Sequence, residues 1–129
     1  MTVYINGQDD RPLRFLLDTG ATDVVLNSNS PRTEGLATFT GSVENSGANS
    51  VEIIPSTAPS QVVRTGSRAI SGLKLIAIPY PPDAWDGVLE LSYLRNFDVC
   101  IDYRRKAIFH LYLEVNDRLY TPFYDFLVR

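Results

Sequence analysis

With 129 residues, the chain has room for one domain (residues 1–129) with a modest core, and not for two. Hydrophobic content of 44% and charged content of 21% are ordinary for a soluble globular protein, and a net charge of -3 with pI near 5.0 speaks against nucleic-acid binding or recruitment by anionic lipid. No stretch approaches the roughly 20 apolar residues of a membrane span and no secretory leader is recognisable; the chain reads equally well as an excised segment, which leaves its compartment open.

Strand signals dominate from the start. Val3-Tyr4-Ile5, Asn6-Gly7 and Leu13 to Leu17 predict a strand, a turn and a second strand, because Asn-Gly takes up positive φ readily. Val24-Val25-Leu26 predicts a third strand, which Asn27-Ser28-Asn29-Ser30-Pro31 interrupts. Apolar residues alternate at Phe39, Gly41 and Val43 and again at Val51 and Ile53, around a polar tip at Asn45 to Asn49. This pattern predicts a long hairpin with a mobile tip at Gly47. Gln61-Val62-Val63 and Leu73 to Ile78 supply further strands, separated by a turn at Thr65-Gly66-Ser67.

Pro79-Tyr80-Pro81-Pro82 cannot continue a central strand, because proline lacks the ladder donor, so a surface loop runs through Trp85 to Gly87. Leu91 to Phe97 predicts the one helix, with Leu91, Leu94 and Phe97 on a common face. A closing hairpin follows, Asp98 to Tyr103 and Ala107 to Val115 about the turn Arg104-Arg105-Lys106. Cys100 in its first strand reads as a half-buried structural thiol; as the lone cysteine it excludes an internal disulfide framework and a Cys-rich zinc site. The aromatic tail from Leu119 to Val128 is too apolar for a solvated end and is expected to pack on the body or on another subunit.

Asp18-Thr19-Gly20-Ala21, between the apolar runs Phe15-Leu16-Leu17 and Val24-Val25-Leu26, is the pattern that carries chemistry. Stripping water from a carboxylate is costly unless polar contacts compensate. An acid followed by a hydroxyl and a glycine places the carboxylate on a turn that polar contacts can hold. The plainer reading is a surface acid in an Asx-turn, with Thr19 and Gly20 as ordinary turn residues.

The acid turn, the Gly-tipped hairpin, the Pro-rich loop and Gly87-Val88-Leu89 running into a short helix occur in an order that resembles a retropepsin-like aspartic protease. The resemblance spans Val3 to Leu113; Asp18-Thr19-Gly20-Ala21 matches the family's catalytic signature, and Gly87 to Leu94 looks like its second motif. It implies an all-β, single-domain fold with one short helix, forming half of a two-fold symmetric dimer. It also implies an aspartic endopeptidase in which Asp18 and its mate from a second copy share a proton across the dimer axis, water is the nucleophile, and neither metal nor cofactor takes part. Two carboxyls about 3 Å apart cannot both ionise, which is the general logic of aspartic proteases.

By the same resemblance Thr19 would bond across the dimer, Gly20 would let backbone amides approach the carboxylates, and Ala21, Thr22 and Asp23 would line the peptide. Asp23 reads equally as the partner of an arginine. Ser46, Gly47 and Ala48 would form a flap closing over substrate, or else a plain surface hairpin. Trp85 would line a side-chain pocket, or else cover the core. His110, Asp98 and Asp102 read as structural.

The chain departs from the family at two places. Glu90 stands where the second motif has glycine, and Ser92 where the helix usually has Asp or Asn. A glutamate there implies a backbone shifted outward, a side chain turned to solvent or to a basic partner, or a weakened activity. The expected partners are a peptide or protein substrate and a second copy of the chain, with no nucleic acid and no direct membrane contact. Two other readings stay open: a catalytically inactive dimerisation or peptide-binding module of the same fold, and an unrelated β-barrel or sandwich carrying the tetrapeptide by accident.

Overall fold

In the computed structural model, residues 1–20, 22–46, 49–112 and 125–128 are described. Strands β1 (Thr2–Ile5), β2 (Leu13–Leu17), β3 (Val24–Asn27), β4 (Phe39–Ser46), β5 (Val51–Thr57), β6 (Gln61–Thr65), β7 (Arg68–Leu73), β8 (Leu75–Ile78) and β9 (Gly87–Leu89) precede helix α1 (Leu91–Leu94). Strands β10 (Phe97–Asp102), β11 (Ala107–Tyr112) and β12 (Asp125–Val128) follow it. Among the described residues, nine strands join in the order β4-β5-β8-β3-β9-β2-β1-β6-β7, and β10-β11-β12 form a separate three-stranded sheet.

The order at the centre of the larger sheet decides where the site lies. β9 sits between β2 and β3, parallel to the first and antiparallel to the second. The connection from β2 to β3, which carries Asp18, therefore crosses the end of β9. Strands buried on both faces read as unbroken apolar runs, and β3 and β9 are buried at every position. Gly87 explains the closeness of the three strands: a Cβ there would overlap the Val25 carbonyl oxygen and the Phe15 ring.

The main core gathers Val3, Ile5, Leu13, Phe15, Leu26 and Leu75 with the fully buried Tyr93, whose ring lies 5.1 Å from that of Phe97. The Tyr93 hydroxyl hydrogen-bonds the Thr65 hydroxyl, so the helix is tied to β6 by a polar contact as well as by packing. A second cluster, Val25, Ile54, Ile76 and Val88, joins the long hairpin to the strands behind the acid turn.

Asn6 and Gly7 both take positive φ, at 52° and 73°, as the Asn-Gly pair predicts. The hairpin of β4 and β5 runs from Phe39 paired with Thr57 to Ser46 paired with Val51; its tip, Gly47 and Ala48, lies outside the described residues. Its apolar pattern is only partly an inward one: Val43 is half-buried and Ile54 buried, whereas Val51 and Ile53 face outward.

Three expectations are corrected. The predicted helix over Leu91 to Phe97 stops at Leu94, with Phe97 opening β10 and Leu91 exposed. The buried aromatic on the helix is instead Tyr93. Asn27 does not break the chain but ends β3 fully buried. Its Nδ2 donates to the carbonyls of Pro81 and Trp85, both at 3.0 Å, and its Oδ1 accepts the Asn29 and Tyr80 amides, both at 3.1 Å. One amide side chain thus satisfies the backbone of the Pro-rich loop, which no strand could do. Cys100 is exposed, because it shares the outward face of β10 with Asp98. Of the apolar tail, residues 119–124 lie outside the described residues, while β12 pairs with β11 from Ala107 opposite Val128 to His110 opposite Asp125.

Candidate active site

Asp18 follows the last residue of β2, and its backbone N–H donates to the Leu89 carbonyl of β9 at 3.0 Å. The carboxylate is exposed, and its Oδ1 accepts the Gly20 N–H at 2.8 Å. That bond is the Asx-turn contact expected of an acid followed two residues later by a glycine. A Cβ on Gly20 would lie 3.2 Å from the same oxygen, tighter than most side chains tolerate. The turn therefore presents its acid outward while the backbone behind it is anchored.

The rest of the loop is fastened to the second motif. The Ser92 N–H donates to the Thr22 carbonyl at 3.1 Å, across the mouth of the helix. A cleft of about 620 Å³ opens in front of this junction. Asp18, Gly20, Thr22, Asp23, Trp85 and Glu90 line one side, and Val43, Glu44 and Asn45 of the hairpin line the other. Trp85 is 37% exposed, with its ring 6.2 Å from that of Tyr80, so it borders the cleft instead of sealing the core. The cleft thus gathers Asp18, Gly20, Thr22, Asp23 and Trp85. Thr19 lies in the exposed turn beside it, Ser46 ends β4 above it, and Ala21, Gly47 and Ala48 lie outside the described residues.

Glu90 answers the question its position raised. The residue is 5% exposed, forms no ion pair among the described residues, and borders the cleft together with Asp18 and Asp23. Burial pushes the carboxyl up to about 7; the Asp23 N–H pulls the other way, and the charges of Asp18 and then Asp23 push it further up. Tyr80 is likewise pushed above its ordinary value, by burial first and then by Glu90 and Asp18. Ser92 is too short to serve as the larger anchor did: its buried Oγ has no hydrogen-bond partner among the described residues.

Asp86 is the residue that sequence reasoning passed over. It is 1% exposed and enters β9 from the Pro-rich loop. Its Oδ2 accepts the Arg14 N–H at 2.7 Å and its Oδ1 accepts the Ser30 hydroxyl at 2.7 Å, with Arg14 and Arg32 guanidinium nitrogens at 3.8 and 3.9 Å. A buried carboxylate with two short donors and two nearby cations locks β9 against β2. An acid immediately before Gly87, at the head of the apolar run Gly87-Val88-Leu89, was the available signal.

The fold and the acid turn agree with the comparisons. The family model described as aspartyl protease matches residues 1–94, a span that takes in the acid turn and the second motif. The chain belongs to the aspartyl protease family. A crystal structure of a retropepsin-like aspartic protease from Rickettsia conorii is similar, with 20% identity, a TM-score of 0.53, and coverage of 79% of this chain and 74% of that one. The retroviral protease-like domain of Ddi1 from Leishmania major is matched at 17% identity and a TM-score of 0.47, over 90% of this chain and 94% of that one. No curated protein sequence matches the chain. The architecture is retropepsin-like: mostly β, with one short helix among the described residues.

Proposed function

We propose that the protein is an aspartic endopeptidase whose two catalytic carboxyls come from two copies of the chain. The observation that carries this reading is the exposed Asp18 on a turn anchored from behind to β9 and facing an open cleft. One Asp18 would take a proton from a held water as it attacks the amide carbon, and the other would donate to the carbonyl oxygen. Thr19 would bridge the two turns, Gly20 would bring backbone N–H groups towards the carboxylates, and Ala21, Thr22 and Asp23 would run along the peptide. Ser46, Gly47 and Ala48 would close from above, with Trp85 against an apolar substrate side chain.

The assembly is supported by what flanks the acid. Leu16 and Leu91, 43% and 40% exposed, lie next to the turn in sequence or across the β2–β9 step, and a second copy would remove both from water. The test is cleavage of a mixed peptide library by the wild-type chain and by Asp18→Asn, with and without a statine-type inhibitor, alongside sedimentation. Cleavage abolished by the substitution and by the inhibitor, in a dimer, is the expected result. Turnover retained by Asp18→Asn, or a strict monomer at high concentration, overturns it.

Glu90 favours a second reading, a peptide-docking module of the same fold without turnover, because a buried carboxyl replaces the glycine behind the catalytic turn. In that case peptides and the inhibitor bind and no bond is broken.

A further inference from the structure

Besides Asp18, the charged side chains bordering the cleft are Asp23 from the loop before β3, Glu44 from β4, Glu90 ahead of α1 and Lys74 ahead of β8. β3 and β8 run parallel with Val24 opposite Leu75, so Asp23 and Lys74, one residue ahead of each strand, stand at the same level on the body wall. Glu44 is exposed on the opposite wall, where β4 pairs with β5. Although their charges differ in sign, none of these side chains forms an ion pair among the described residues. Lys74 is the one base among the described lining residues, so the walls carry an excess of acid, while Val25, Ile54, Ile76 and Val88 make the floor apolar.

Glu90 points to the same ligand by a different route. It is 5% exposed, in surroundings where a carboxyl without a cation is costly to hold, and it opens onto the cleft. A cation arriving through the cleft favours its ionised form and makes the pair that the chain by itself leaves unmade.

We infer that the cleft selects peptides with a lysine or arginine side chain close to the scissile bond, Asp23 and Glu44 being the specificity-determining residues and Glu90 lying behind them. The inference rests on the reading above that peptide lies in this cleft, and adds the substrate class. An extended peptide sends alternate side chains to opposite sides. Its apolar residues fit the floor and Trp85, and its basic residue meets a carboxyl on either wall. The methylene stem of a lysine or arginine lies on apolar surface while the charged head stays at the rim. An acidic side chain would meet Lys74 alone, against the field of the surrounding acids.

The test varies a cleaved parent peptide one position at a time on both sides of the scissile bond, inserting lysine, arginine, norleucine, citrulline or glutamate. Norleucine and citrulline keep the length of the basic side chains without the charge. The assay runs in low salt at about pH 6, where ordinary carboxyls are ionised. In the wild type, kcat/KM with lysine or arginine at one or more positions is expected to exceed that of the neutral counterpart by about tenfold, with glutamate the poorest. At those positions the preference is expected to fall to about a third in Asp23→Asn and in Glu44→Gln, and to shrink in the wild type as salt is raised. Equal turnover of basic and neutral peptides, a preference for glutamate, or a preference that neither substitution reduces overturns the inference. Should Asp23→Asn fail to fold, Glu44→Gln on the exposed hairpin decides. Should the wild type cleave no peptide, the peptidase reading fails by itself, and the same peptides are compared by fluorescence anisotropy. Tighter binding of the basic members then sustains the inference; equal binding, or no binding of any member, overturns it.

Discussion

The acid turn after β2 and the segment from Asp86 to Glu90 lie side by side, and they treat their carboxyls in opposite ways. Asp18 is left in water with one local hydrogen bond, whereas Asp86 and Glu90 are enclosed, and Asp86 accepts the Arg14 amide of β2. All three are acids at the end or start of apolar strands, so residue type does not separate them. What separates them is which side of the β2–β9–β3 step they occupy. Buried Asp86 locks the strands together, and the exposed acid can be presented in fixed orientation because of that lock.

If that division of labour holds, substitutions on the two sides break different things. Asp18→Asn is expected to lower kcat/KM by at least roughly a thousandfold while leaving the urea midpoint within experimental error of the wild type. Asp86→Ala is expected to do the reverse in kind, lowering unfolding free energy by about 3–5 kcal/mol through loss of a buried carboxylate and stranding of its donors; chemical denaturation measures it. A stability loss as large at Asp18 as at Asp86 would erase the distinction.

Glu90 tests the boundary between the two. Burial pushes its carboxyl up to about 7 in the folded chain, from an ordinary 4.5. The folded state therefore holds the proton more tightly, and the associated stability is complete below about pH 4.5 and lost as pH rises through about 7. Relative to Glu90→Gln, the wild type should lose up to about 3 kcal/mol between pH 4.5 and pH 8, measured by denaturation at a series of pH values. A parallel pH dependence in the two proteins would place Glu90 among inert buried groups. The smallest effect is expected at Trp85→Ala: about a tenfold loss of kcat/KM for substrates with large apolar side chains, with little change in stability, since the ring borders the cleft at 37% exposure.

Several features were legible because they depend on short-range chemistry. Asn6-Gly7 takes positive φ wherever it lies, Pro79 to Pro82 cannot join a ladder, and Arg104-Arg105-Lys106 ends in a Lys106 with φ of 51° at a hairpin turn. The helix was read too long because Leu91, Leu94 and Phe97 satisfy a helical spacing, while pairing with β11 draws Phe97 into a strand opposite Tyr112. Asn27 looked like a breaker because a buried amide with four partners has no sequence signature: two of its acceptors are more than fifty residues away.

The residues alone determined the acid turn, its apolar flanks, the long hairpin and the second motif, since each follows from local propensity and spacing. Only the tertiary structure decided that β9 runs between β2 and β3, and with it the burial of Asp86, the satisfaction of Asn27 and the direction of the Glu90 side chain. The reason is physical: whether a carboxyl is solvated, bonded or set beside another charge depends on strands distant in sequence, and no local pattern encodes which strand will be the neighbour.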